Sequence, residues 1–271
     1  MGDVTSTHGA RSEVLYEVED GHIALITLNA PERMNTISGP MLNELTRLLV
    51  RANEDPAVRC VILTGVGRAF CAGLDLRQER DGGGISAAAS PSNLDLRNTP
   101  PTVLFDMDKP TICAVNGGAA GYGMDTALGC DIRILAESAK FAAAFVRRGV
   151  VPESGGTWFL PRMIGWAKAS ELIFTGRTLS AREALEWGLA NEVVPDADLM
   201  GRARALAREI ANNAPLAVQA AKRMMRMGLN ETFRDHVHHV YLQLLPLFRS
   251  QDMQEGVRAF LEKREPKFEG K

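Results

Sequence analysis

The sequence predicts an α/β fold followed by an all-helical C-terminal segment, and three observations carry this. Apolar strand-length runs alternate with amphipathic helical spacing up to about residue 195, small-residue turns join them, and from about Asp196 onward only helical periodicity remains. The chain is 271 residues long with 45% hydrophobic and 24% charged residues, the composition of a folded globular protein. Thirty-one Lys and Arg stand against 33 Asp and Glu, for a net charge of -2, which argues against a dedicated nucleic-acid binder and for a small-molecule partner. No apolar run reaches the roughly 18 residues needed to span a bilayer, and the polar first dozen residues lack the apolar region of a signal peptide. The four cysteines Cys60, Cys71, Cys113 and Cys130 show no metal-ligand spacing and suit reduced thiols, an argument for the cytoplasm.

Taken in order, Val14 to Val18 and His22 to Leu28 alternate in polarity across Glu19-Asp20-Gly21 and predict a β-hairpin. Ser38, with Pro40 just inside, opens an amphipathic helix through Met41, Leu45, Leu48 and Ala52, which Asp55-Pro56 stops. Val58 to Thr64 and Thr111 to Val115 read as buried parallel strands, and Ile132 to Leu135 as a third, after a small-residue helix near Gly123 to Gly129. Periodicity disappears between about Gln78 and Pro101, a stretch too long for a simple connector and read as a flap. The C-terminal pattern divides the chain into an α/β core, 1–195, and a helical subdomain, 196–271; helices without a strand must pack on the core or on another subunit, which favours oligomerisation.

Two small-residue turns have chemical potential. A strand runs into Gly117, Gly118, Gly121 and Gly123 and on into a helix, leaving backbone N–H groups and a positive dipole end free to meet an anion or a polarised oxygen, although such glycines can also serve packing alone. Neither GxGxxG nor GxxxxGK[ST] occurs. The second turn, Arg68 to Leu76 (RAFCAGLDL), also follows a strand, so each turn could aim one N–H at the same carbonyl oxygen. His236, His238 and His239 lack complementary metal-ligand spacing and read as surface or interface residues, and Ser154 lacks a nucleophile elbow.

The segments FCAGLDL, KPTICAVNG, GCDIRI, SAKF, VPESGGTWFLPR and FTGRTLSAREALEWGLANEVVP, in this order, resemble the enoyl-CoA hydratase/isomerase (crotonase) family, from Leu28-Asn29-Ala30-Pro31 to Phe260-Leu261-Glu262-Lys263-Arg264. The resemblance implies a crotonase-like spiral of ββα units, a homotrimer or homohexamer, an acyl-CoA thioester as partner and no metal or redox cofactor. It also implies an oxyanion hole formed by the amides of Leu74 and Tyr122, where Tyr122 replaces the family's usual glycine and its ring either narrows the pocket or joins the core. Such preorganised amides contribute about 10²–10³ in rate each.

Hydratases of this family use two glutamates. The first aligns with Asp125; at the second, this chain reads Ala142-Ala143-Ala144-Phe145, without a proton carrier. Glu153 instead matches the position at which isomerases and a dehalogenase of the family carry their essential acid. It is either that acid, with a pKa raised by Phe145, Trp158 and Phe159, or a cap of the helix beginning near Gly155. Asp125 can be catalytic, an orienter of Glu153, or a helix cap. By resemblance, Ala72, Gly73, Leu74, Asp75 and Leu76 meet CoA, Arg33, Lys263 or Lys267 its phosphates, and Phe145 and Trp158 line the acyl pocket. The expected reaction is a double-bond shift through Glu153. The alternatives are hydration using Asp125 and Glu153, or acyl-CoA binding without turnover.

Overall fold

In a computed structural model of the chain, residues 12–20, 22–75, 77 and 99–271 are described. The predicted hairpin is β1 (Val14–Glu19) and β2 (Ile23–Leu28), antiparallel with Val14 opposite Leu28. Ser38 caps α1 (Gly39–Glu54), its hydroxyl accepting the Met41 amide, and the predicted apolar stripe of Met41, Leu45, Leu48 and Ala52 is buried. The chain then enters β3 (Cys60–Gly65), and β5 (Thr111–Val115) and β7 (Ile132–Ala136) follow where expected. With β10 (Glu192–Val194) they complete a six-stranded sheet ordered β1-β2-β3-β5-β7-β10, parallel from β2 onward. Its interior strands are almost wholly apolar because both faces are covered, and the core lies against them.

A second sheet did not emerge from periodicity. It has four strands ordered β4-β6-β8-β9: β4 (Ala69–Cys71), β6 (Gly118–Ala120), β8 (Lys140–Ala142) and β9 (Thr178–Ser180). Each is three residues long, too short for an alternation signal, and β6 is Gly and Ala throughout. The order explains the spiral: the pairs β3/β4, β5/β6 and β7/β8 each put their first strand in the large sheet and their second in the small one. Between them run α2 (Pro100–Asp106) and α3 (Tyr122–Gly129). The 20-residue α4 (Gly156–Thr175), which changes direction at Gly165, and α5 (Ala181–Trp187) follow β8.

After Pro195 the described chain is helical: α6 (Leu199–Ala211), α7 (Pro215–Gly228), α8 (Phe233–Leu247) and α9 (Gln251–Glu262). The first of these lies on β3, β5 and β7, and Arg223 on α7 pairs with Asp108 beyond α2. The helical segment is therefore partly fastened to the α/β body. All four cysteines are free and buried. His236 and His239 both contact the Glu231 carboxylate, at 3.2 and 2.9 Å, and among the described residues no group of three His, Cys, Asp or Glu side chains is placed to hold a metal. No helix among the described residues is long and apolar enough to cross a membrane.

The two turns that follow the short strands are pressed together. A Cβ on Gly123 would stand 2.1 Å from the Cys71 carbonyl oxygen, so no side chain fits where α3 crosses the end of β4. Gly123→Ala is expected to destabilise the protein by about 2–4 kcal/mol, lowering Tm by on the order of 5–10 °C. Gly118→Ala, at a position with nothing within 4 Å of the added carbon, is expected to change it little; parallel thermal melts check both.

Candidate active site

The crowding of the two turns creates the site. Gly73 has φ of 100°, a left-handed value that favours glycine, and a Cβ there would approach the Ala120 carbonyl oxygen to 2.9 Å and the Tyr122 nitrogen to 3.7 Å. The backbone of the first turn is thus in contact with the backbone that starts α3. The Ile37 amide donates to the Gly73 carbonyl (2.8 Å) and the Asp75 amide to the Ile37 carbonyl (3.0 Å), a short parallel bridge. Alternation along that bridge turns the intervening Leu74 amide away from Ile37. Tyr122 is the first residue of α3, where a helical amide has no partner inside the helix.

Both residues line one cavity, together with Ala72, Gly73, Phe145 and Glu153. The wall is mostly small or apolar, so a polarised oxygen between the two amides would be held with little competing water. Tyr122 does both things open to it: its ring belongs to the buried core, yet it forms part of the cavity wall. Its hydroxyl is fully buried near Thr99 and Ser154, and burial raises the phenol above the usual tyrosine range.

Glu153 lies on the turn between the Val146–Arg148 3₁₀ helix and α4, accessible at the cavity mouth. The surrounding protein shifts its carboxyl upward by desolvation, against a smaller opposing effect of its own amide. Asp125 occupies a different place. Its side chain is completely buried behind the Glu153 turn, off the cavity wall, and its Oδ2 accepts the Ser154 amide at 3.3 Å. Its Oδ1 lies against Gly156, where an added Cβ would approach to 2.4 Å, and makes no hydrogen bond of its own. Asp125 thus braces the N-terminal end of α4. Burial and the neighbouring Glu153 charge push its carboxyl up to about 7, the dipoles of the Gly156 and Ser154 amides pulling the other way.

The remaining candidates are dispersed. Ala72 and Gly73 reach the cavity, and Asp75 adjoins it but pairs with Arg33 at 3.5 Å; Leu76 and residues 78–98 of the predicted flap lie outside the described residues. Arg33 also pairs with Glu13 at 2.6 Å, so its charge is already compensated. Lys263, left-handed at the end of α9, and Lys267, in a surface hollow with Arg258 and Glu255, are not on the cavity wall. Neither is Trp158, which packs edge-on against Phe105 and Phe159 at 5.2 and 5.3 Å between ring centres. The sequence reading missed Arg148 and Val150, which do line the cavity. Their only signal was position, between Phe145 and Glu153.

The Asp125 carboxyl binds its proton more tightly in the native state than at its ordinary 3.8 when unfolded. Between about pH 4 and 7 folding therefore takes up a proton at this site, and stability falls as pH rises through that window. Asp125→Asn keeps an acceptor for the Ser154 amide and removes the titration, so its denaturation midpoint is expected to fall less steeply than wild type between pH 4 and 7, as measured by urea unfolding.

The sequence profile of the enoyl-CoA hydratase/isomerase family matches residues 18–271. The chain is 41% identical over 261 residues to the 1,2-epoxyphenylacetyl-CoA isomerase of Escherichia coli K12, covering 95% of this chain and 98% of that one. It is 38% identical to the carnitinyl-CoA dehydratase of the same strain, covering 96% and 100%. The crystal structure of an enoyl-CoA hydratase from Bacillus anthracis superposes with a TM-score of 0.89 at 36% identity, over 96% of this chain and all of that one. A shared profile over nearly the whole chain, joined to the same two-sheet spiral, places this protein in the enoyl-CoA hydratase/isomerase family, as an acyl-CoA-processing enzyme of the crotonase fold.

Proposed function

We propose that the protein moves a carbon–carbon double bond in an enoyl-CoA, with Glu153 as proton carrier and the Leu74 and Tyr122 amides as oxyanion hole. The observation that carries this reading is that one carboxylate, Glu153, stands on the wall of the cavity that the two amides share, while Asp125 is sealed behind it. In the forward step the Glu153 carboxylate removes a proton from C2 of a 3-enoyl thioester. The electron pair spreads onto the thioester oxygen as a dienolate, held by the two amides. The protonated Glu153 then returns its proton to C4, leaving the double bond between C2 and C3. A carboxyl raised by desolvation is better matched to both halves of this transfer near neutral pH than an ordinary glutamate.

Asp125 acts in this reading through the Ser154 amide, fixing the Glu153 turn rather than meeting substrate. The thioester's CoA end follows the Ala72 to Asp75 backbone, and Arg33, where it meets a phosphate, exchanges its pairing with Glu13 and Asp75. The helices of residues 196–271 are read as the homotrimer or homohexamer surface, supported by the outward apolar side chains of Phe233, Phe260 and Leu261.

A second reading, addition of water to a 2-enoyl-CoA by Asp125 and Glu153, has its own support. Hydratase and dehydratase names recur among the similar proteins, and the Glu153 charge reaches Asp125 strongly enough to help raise its pKa. Parallel assays with a 3-enoyl-CoA and a 2-enoyl-CoA separate the two. Migration of the double bond, lost by at least about 10²-fold in Glu153→Gln, is the expected result. Formation of 3-hydroxyacyl-CoA without migration would replace the isomerase reading by the hydratase one, and no turnover of either would point to binding alone.

A further inference from the structure

The cavity wall holds one feature that neither double-bond migration nor hydration uses. Arg148 is the single cation among the described residues that line it. It ends the 3₁₀ turn Val146–Arg148, which Gly149 closes at φ of 72°. Its Nη1 donates to the Ala144 carbonyl at 3.0 Å, so the guanidinium is tethered to the wall by its own turn. The adjacent Arg147 is directed elsewhere, its Nε donating to the Thr175 carbonyl at 3.3 Å.

No carboxylate among the described residues forms an ion pair with Arg148, whereas Arg33, Arg177, Arg223 and Arg264 each have one. Glu153 shares the cavity, but no ion pair among the described residues joins it to Arg148. Arg148 is exposed, so its guanidinium is open to water. An acyl chain that fills the cavity removes much of that water, and a cation left against hydrocarbon, with Phe145 and Val150 beside it, is costly. A carboxylate on the ligand reverses the balance, because the planar guanidinium fork donates two parallel charge-assisted hydrogen bonds to its oxygens.

We propose that Arg148 is a specificity-determining residue that receives a carboxylate at the distal end of a short acyl chain, making CoA half-thioesters of unsaturated dicarboxylic acids the preferred substrate class. The inference rests on the reading of this cavity as the thioester site. The test compares two 3-enoyl-CoA substrates of equal length, one ending in a methyl group and one in a carboxylate, with wild type, Arg148→Gln and Arg148→Lys. Wild type is expected to prefer the acid in kcat/KM by at least about tenfold. Arg148→Gln should reduce that preference by about tenfold or more, and Arg148→Lys, which keeps the charge but not the fork, should retain part of it. A wild-type preference for the methyl substrate, or a ratio unchanged in Arg148→Gln, would overturn the proposal.

Calorimetric binding of the two saturated acyl-CoA analogues to the same three proteins gives the same ratio without turnover. A preference for the acid there, lost in Arg148→Gln, upholds the role of Arg148 even if neither enoyl substrate reacts, in which case only the assigned reaction fails. Equal affinity of wild type for the two analogues overturns it.

Discussion

The site depends on one constraint, the close approach of two backbone turns that belong to different turns of the spiral. Cys71 and Gly123 leave no room for a side chain between them, and Gly73 lies against Ala120 and the start of α3. Hydrogen bonds from the buried Asn35 and the half-buried Asn116 tie the backbone behind this approach. Asn35 Oδ1 accepts the Ala30 amide while its Nδ2 donates to the Val66 and Ala69 carbonyls, and Asn116 Nδ2 donates to the Gly67 carbonyl. Polar groups committed in this way cannot be exchanged for water without loss, so the backbone behind the cavity is rigid where amides must be aimed. Preorganisation of this kind makes an amide useful to a developing oxyanion, since nothing has to reorient as the charge forms.

The two acids nearest the cavity are divided by burial. Glu153 is placed where a ligand can reach it, and Asp125 is enclosed where only the backbone of the Glu153 turn can. Their charges oppose one another, so the buried partner holds its proton to higher pH and leaves the accessible one the easier to ionise. A buried carboxyl that braces a turn while sharing its electrostatics with the acid on that turn couples the stability of the site to its protonation state.

Much of this was legible in the sequence. The hairpin, α1 with its Ser38 cap and the interior strands β3, β5 and β7 were marked by alternation, capping chemistry and unbroken apolar runs. Glu153, Leu74 and Tyr122 could be singled out from the motifs around them and are brought to one cavity. The small sheet was not visible because three-residue strands are too short to carry a period. Trp158, expected on the pocket wall, turns instead to Phe105, a residue far away in sequence, for an edge-on ring contact. Arg148 carried no signal because a lone arginine in a turn looks like solvated surface; only the three-dimensional wall shows that it lines the cavity without an anionic partner among the described residues.

The most direct test of two amides working with a single accessible carboxylate is exchange of the C2 protons of a saturated acyl-CoA into D₂O, followed by NMR, because it requires enolate formation but no double bond. Wild type should exchange the label, Glu153→Gln should lose exchange by at least about 10²-fold, and Asp125→Asn should retain it at a reduced rate. Exchange that survives in Glu153→Gln and disappears in Asp125→Asn would contradict the account.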